Sequence, residues 1–163
     1  MVRQTHTSQM HYHPITIAHL CISALISYFQ GKLTILLKNI TDLSKGGDVA
    51  GDSDPYVVFE LEKDNFLIDK SYGERKSSVK MNDLNPVYDE IFEFDAIPSL
   101  DKLELKVKVM DKDTTSDDKI GKCKIELDKL DLFSGDPYDV TETVDSNLFS
   151  KDAKINLTLQ WSE

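Results

Sequence analysis

From Gly31 onward, apolar and polar residues alternate in short runs. Leu33, Ile35 and Leu37 alternate with Lys32, Thr34 and Lys38, broken only by Leu36. Val57, Phe59 and Leu61 alternate with Val58, Glu60 and Glu62, and Leu103, Leu105, Val107 and Val109 alternate with Glu104, Lys106 and Lys108. Ile91-Phe92-Glu93-Phe94 is a shorter run of the same kind, as is Gly121 to Leu127, where Cys123 takes an inward position. Ile155, Leu157, Leu159 and Trp161 alternate with Asn156, Thr158 and Gln160 near the end of the chain. A period of two puts successive side chains on opposite faces of a strand. One apolar face and one wet face per strand is the pattern of an antiparallel sandwich. Turn residues separate the runs at Gly46-Gly47, Asp54-Pro55, Asn85-Pro86, Pro98-Ser99 and Gly135-Asp136-Pro137. The pattern therefore predicts an all-β antiparallel sandwich of about eight strands over residues 31–163. One short helical turn is expected near Asp128–Asp131, beside Leu127, Leu130 and Leu132.

Residues 1–30 have a different texture and read as a tail, disordered or forming a short helix. They hold all four histidines, His6, His11, His13 and His19, and almost no acid. The apolar stretch Ile15–Ile26 is too short and too interrupted to cross a bilayer, which takes about 20 apolar residues. Arg3 ahead of it is a fragment of a signal-peptide pattern, but His19 breaks the segment and the small-x-small cleavage pattern is poor. Cys21 and Cys123 stand far apart with no CxxC, which suits a reduced, cytoplasmic setting. The sequence has no glycine-rich phosphate loop and no GxSxG. With every histidine in the tail, no histidine-based triad can form on the strands, and the chain reads as a non-enzyme.

Charge changes the picture. Lys plus Arg number 19 and Asp plus Glu number 29 in 163 residues, a net charge of −10. Nucleic acid is excluded as a partner, because its phosphates need a basic face. An anionic bilayer would also repel the chain unless something reverses the charge locally. Seven of the 29 acids lie in two loops between strong strands: Gly46–Tyr56, with Asp48, Asp52 and Asp54, and Asp111–Gly121, with Asp111, Asp113, Asp117 and Asp118. Only Lys112 and Lys119 offset them. If the loops meet at one end of the sandwich, carboxylates at about 4–6 Å repel by a few kcal/mol. A hard cation with six to eight oxygen ligands is the natural compensation, and calcium suits a flexible loop cage better than magnesium; zinc would want His or Cys. One such loop alone reads as solvated surface; two of the same kind point to a metal. The spacing is not that of an EF-hand.

Three segments carry a more specific signal. They are Ser53-Asp54-Pro55-Tyr56-Val57, then Leu84-Asn85-Pro86-Val87-Tyr88-Asp89-Glu90-Ile91-Phe92-Glu93-Phe94, then Val109-Met110-Asp111-Lys112-Asp113 with Asp117-Asp118-Lys119-Ile120-Gly121. In that order the chain resembles the C2-domain family, carried by synaptotagmins and conventional protein kinases C, over about residues 31–163. The resemblance implies a β-sandwich binding about two calcium ions through Asp48 and Asp54 of the first loop and Asp111, Asp113 and Asp118 of the second. Ser116 and the backbone carbonyl of Lys112 are further oxygen donors on this reading. The second loop is one residue shorter than in synaptotagmins, which leaves Asp117 as an alternative to Asp118; Asp52 reads as a neighbour. Asn85-Pro86 and Tyr88 resemble a turn and a packing aromatic. The run Ile155–Trp161 closes the chain where synaptotagmin-type modules have a strand at the start, which resembles the permuted type II topology.

The function implied is calcium-dependent docking onto anionic phospholipid, with recruitment from the cytoplasm when calcium rises. The loop tips, Val49, Ala50, Thr114 and Thr115, would make the lipid contact; they are only mildly apolar, so docking should be electrostatic, shallow and salt-sensitive. A C2-type protein-interaction module with weak or no lipid binding is the alternative. Lys63, Lys70, Arg75, Lys76 and Lys80 interleave with Glu62, Asp64, Asp69, Glu74 and Asp83, and read as mixed solvated surface rather than a second lipid site.

Overall fold

The computed structural model describes residues 30–43, 53–65, 68–133, 135–145 and 153–163. Residues 1–29 of the tail, Gly46-Gly47, Asp48, Val49, Ala50 and Asp52 lie outside the described residues. Eight strands form in chain order: β1 (Gly31–Thr41), β2 (Pro55–Lys63), β3 (Lys70–Lys76), β4 (Val87–Ile97), β5 (Leu103–Asp111), β6 (Asp118–Glu126), β7 (Tyr138–Val144) and β8 (Ala153–Ser162). A single 3-10 turn, Leu127–Lys129, follows β6 and buries Leu127. The strands make two four-stranded sheets, in the orders β4-β1-β8-β7 and β3-β2-β5-β6, with every pairing antiparallel.

The period-two positions become the core. Leu33, Ile35 and Leu37 of β1, Val57, Phe59 and Leu61 of β2, Leu103 to Val109 of β5 on alternate positions, and Ile155 to Trp161 of β8 all point between the sheets and are buried. Burying one such side chain contributes about 1.5–3 kcal/mol. The Phe59 and Phe92 rings meet across the interior at 5.2 Å, joining the two sheets. Tyr56 and Val58 alternate with the core residues and face outward, yet are also buried. Val58 sits in register between Lys76 and Lys108.

β3 and β7 carry little apolar alternation, and the pattern alone does not single them out. Both are sheet edges, held by backbone hydrogen bonds to one neighbour. On one seam of the sandwich, Arg75 of β3 lays its guanidinium 4.7 Å over the Phe94 ring of β4 and donates from Nε to the Glu93 carbonyl at 3.0 Å. On the other seam, Asp145 just after β7 exchanges two backbone hydrogen bonds with Lys122 of β6, at 2.8 and 3.1 Å. Lys63, Lys76 and Lys80 pair with Asp101, Glu74 and Glu90, and the outer face of the β3-β2-β5-β6 sheet adds Lys108–Glu60, Lys106–Glu62 and Lys124–Glu104. Lys63, Lys76 and Lys80 are thus paired in place, while Lys70 lies 4.8 Å over the Tyr72 ring. Cys123 is half-buried on β6 and packs against the core; burial pushes its thiol up to about 12, so it stays protonated and unreactive at neutral pH. Among the described residues no helix is long and apolar enough to cross a membrane.

The second seam depends on Gly121. A Cβ there would lie 2.6 Å from Val144 Cγ1 and 2.8 Å from the Asp145 carbonyl oxygen. The backbone contact cannot relax without breaking the Lys122–Asp145 bridge. Gly121→Ala is therefore expected to lower unfolding stability by roughly 2 kcal/mol in urea denaturation. An unchanged midpoint would show that the seam is looser than its geometry requires.

Candidate metal centre

Antiparallel pairing of β2 with β5 sets Pro55 opposite Asp111. The end of β1, the start of β2, the end of β5 and the start of β6 consequently share one end of the sandwich. There the two aspartate-bearing segments touch. The Asp54 amide donates to Asp111 Oδ1 at 2.7 Å, and the Lys112 amide donates to the Asp54 carbonyl at 3.0 Å. Asp118 opens β6 in register with Asp111 and is exposed. Asp113 is half-buried, while Thr114, Thr115 and Ser116 form the exposed tip. Asp48, Val49 and Ala50 lie outside the described residues.

Asp117 is engaged differently. Its carboxylate accepts from Lys112 Nζ at 2.9 and 3.2 Å, from the Tyr56 hydroxyl at 2.8 Å and from the Asp113 amide at 3.2 Å. The Lys112 bond, then the Tyr56 and Asp113 bonds, hold its carboxyl down to about 2 from an ordinary 3.8. Tyr56 is pushed up to about 12, by burial first and then by its bond to Asp117. Through the Tyr56 hydroxyl, the Asp117 carboxylate is tied to the outer face of the β3-β2-β5-β6 sheet.

A third segment, residues 77–86 between β3 and β4, belongs to the same end, although the sequence pattern does not assign it there. The Ser77 amide donates to the Val57 carbonyl and the Val57 amide to Ser77 Oγ, both at 2.9 Å. The Lys80 amide donates to the Pro55 carbonyl at 3.0 Å, and the Asp83 amide to the Ser53 carbonyl at 3.1 Å. The Asn82 amide donates to Asp54 Oδ1 at 2.7 Å. Asn82 itself has φ of 53°, a left-handed conformation that Asn tolerates and that sharpens the turn. The only hint in the sequence is the cluster Asn82, Asp83 and Asn85, which is turn chemistry. Asn85-Pro86 and Tyr88 take the structural places expected of them. Asn85 Oδ1 accepts from the Asp42 amide at 3.0 Å, and buried Tyr88 donates its hydroxyl to the Pro55 carbonyl at 3.0 Å.

The carboxylates of Asp54, Asp111 and Asp117 are therefore each met by an N–H or O–H donor. Among the described residues, no three or more His, Cys, Asp or Glu side chains converge as a metal cage. The donors available at this end are hard oxygens, carboxylate, hydroxyl and carbonyl, which is the set that suits calcium.

The ionised form of Asp117 is favoured by folding. Its contribution to stability is complete above pH 3.8 and is lost as pH falls through about 2. Lys112→Met is expected to move the Asp117 titration upward, followed by carboxyl-carbon NMR across the acid range. Tyr56→Phe should shift it in the same direction by less. A titration unmoved by Lys112→Met would show that the ammonium does not hold this carboxylate.

Comparison with known proteins agrees with this architecture. The family profile described as "C2 domain" matches residues 31–144. Synaptotagmin-9 of Rattus norvegicus is 41% identical over 97 residues, covering 58% of this chain and 19% of its own length. The chain thus matches about a fifth of that relative. A single C2 domain of plant extended synaptotagmin 1 superposes with a TM-score of 0.68 at 22% identity, covering 81% of this chain and 94% of that one. The calcium-bound pair of C2 domains of extended synaptotagmin 2 gives a TM-score of 0.62 at 26% identity, covering 80% of this chain and 45% of that one. With a profile match that runs from the first residue of β1 to the last of β7, the chain belongs to the C2-domain family.

Proposed function

We propose that this protein binds anionic phospholipid membranes in a calcium-dependent manner, with its aspartate-rich end acting as a charge switch. The observation that carries the reading is the Asp54 amide to Asp111 carboxylate bond at 2.7 Å, since it puts acidic residues of both loops side by side. Asp48, Asp54, Asp111, Asp113 and Asp118 would supply carboxylate oxygens, with Ser116 and the Lys112 carbonyl as further donors. Asp118 is preferred over Asp117 because Lys112, Tyr56 and the Asp113 amide already share the Asp117 carboxylate. A calcium-bound structure among the relatives, that of extended synaptotagmin 2, supports the choice of metal.

Without metal this end is negative and avoids an anionic surface. About two calcium ions would add four positive charges and leave coordination positions for lipid phosphate or carboxylate oxygens. Lipid and calcium then bind cooperatively, because each completes the other's site. Asp54 and Asp111 would turn to the ion carboxylate oxygens that backbone N–H groups now meet. We read the chain as a binding module without a catalytic step, held in the cytoplasm until calcium rises. The sheet order β4-β1-β8-β7, with the last strand between β1 and β7, supports reading the topology as the permuted type II arrangement.

Co-sedimentation with vesicles of phosphatidylserine and phosphatidylcholine tests this directly. The wild type is expected to pellet with calcium and to stay in solution with chelator, with binding weakened by added salt. The double variant Asp111→Asn, Asp113→Asn should lose the calcium response, and calorimetry should lose the calcium heat with it. Equal pelleting with and without calcium would sink the switch, and no pelleting under any condition would favour a protein-interaction module.

A further inference from the structure

The alternation of β4 has a fault on its outer side. Val87 and Ile91 point away from the core, where the pleat calls for polar residues, and are 56% and 66% exposed. Register sets Val87 opposite Asn39 and Ile91 opposite half-buried Leu36, on the outer face of β1. These two rows continue across the sheet, to Asn156 and Thr158 of β8 and then to Thr141 and Asp139 of β7. Their polar groups already satisfy one another. Asn156 Nδ2 donates to Asn39 Oδ1 at 2.7 Å, Thr141 Oγ1 to Asn156 Oδ1 at 2.7 Å, and Thr158 Oγ1 to Asp139 at 2.6 Å. Lys32 pairs with Glu93 and Lys38 with Asp139, each at 2.8 Å. Drying such a face strands few polar groups, so its burial costs little. The outer face of the other sheet differs: among the described residues its strands carry no exposed large apolar side chain, and Lys–Glu pairs cross it.

We propose that the outer face of the β4-β1-β8-β7 sheet is a self-association surface whose partner is a second copy of this chain. The area suits that partner. Four strands of seven to eleven residues, at about 3.3 Å per residue and about 4.8 Å per strand, present about 600 Å² on each copy. Two faces together bury about 1,200 Å², the lower end of stable interfaces, which gives a reversible dimer. The place of the apolar pair fixes the symmetry. Full overlap of the two faces with β4 on β4 needs a two-fold axis that crosses the strands, since an axis along them sets β4 on β7. With that axis between the two rows, Val87 of each copy meets Ile91 of the other. Charge selects the same arrangement. The chain carries −10, and its acidic loops meet at one end. An axis across the strands turns the two acidic ends to opposite poles, farther apart than a Debye length of about 8 Å, whereas parallel stacking brings them together.

Sedimentation equilibrium of the full chain, with chelator present, tests this surface apart from the calcium switch. Between about 1 and about 300 µM the mass is expected to rise from one chain toward two, with a Kd on the order of 10–100 µM. Ile91→Lys and Val87→Glu should each weaken dimerisation about tenfold or more. Both side chains face solvent in the single chain, so the melting temperature of the dilute variants should stay that of the wild type. An equal mixture of the two variants should dimerise more tightly than either alone, because an introduced ammonium then faces an introduced carboxylate across the axis. Lys122→Gln, on the outer face of the other sheet, should leave the dimer as it is. A mass of one chain at every concentration would overturn the proposal, whether the face is then bare or covered by another segment of the chain. A dimer that persists unweakened in Ile91→Lys and Val87→Glu would overturn it as well. A mixture no tighter than its parts would overturn the crossed symmetry.

Discussion

The pairing of β2 with β5 is the constraint on which the rest depends. Nine residue pairs run from Pro55 opposite Asp111 to Lys63 opposite Leu103. The register is held by Val57, Phe59 and Leu61 lying opposite Val109, Val107 and Leu105, all of them buried. Slipping it by one residue would turn each of these apolar side chains out to water. The same register delivers Asp54 and Asp111 to one another at the end of the sheet. Core packing and the acidic end are therefore a single fact: the apolar alternation that stabilises the sandwich also brings the carboxylates together.

Carboxylates brought together need compensation, and protein donors supply part of it. Backbone N–H groups of Asn82 and Asp54 meet Asp54 and Asp111, while Lys112, Tyr56 and the Asp113 amide meet Asp117. These two solutions differ in kind. A backbone amide carries no net charge, so it softens the repulsion and leaves the site negative. A lysine ammonium cancels one charge outright. The second loop thus contains a carboxylate paired with a lysine, Asp117, and one met by a backbone amide, Asp111.

The third segment changes how this end is described. Residues 77–86 bond to Val57, Pro55, Ser53 and Asp54 in turn, so the start of β2 is clasped from the side as well as paired with β5. Tyr88 completes the clasp from beneath, through its hydroxyl on the Pro55 carbonyl. Pro55 has no N–H to give, and its carbonyl accepts twice, from Lys80 and from Tyr88. A rigid start to β2 is what keeps Asp54 in place at the acidic end.

Much was legible from the sequence alone. Period-two alternation in residues 33–37, 57–61, 103–109 and 155–161 determined that these runs are strands and which side of each is buried, because burial rewards only one phase of the pleat. The two aspartate clusters, and their place between strands, were equally plain. Strands β3 and β7 were not, since they bury few side chains and are held to one neighbour by backbone hydrogen bonds that leave little mark on side-chain pattern. The joining of segment 77–86 to Asp54, the capture of Asp117 by Tyr56, and the exposure of Val87 and Ile91 on β4 were decided only by the tertiary structure. The first two depend on groups 28 and 61 residues apart, and the third on what the fold leaves uncovered. Local periodicity reports how one strand meets the core; it carries no information about which distant backbone groups the packed sheets will bring face to face.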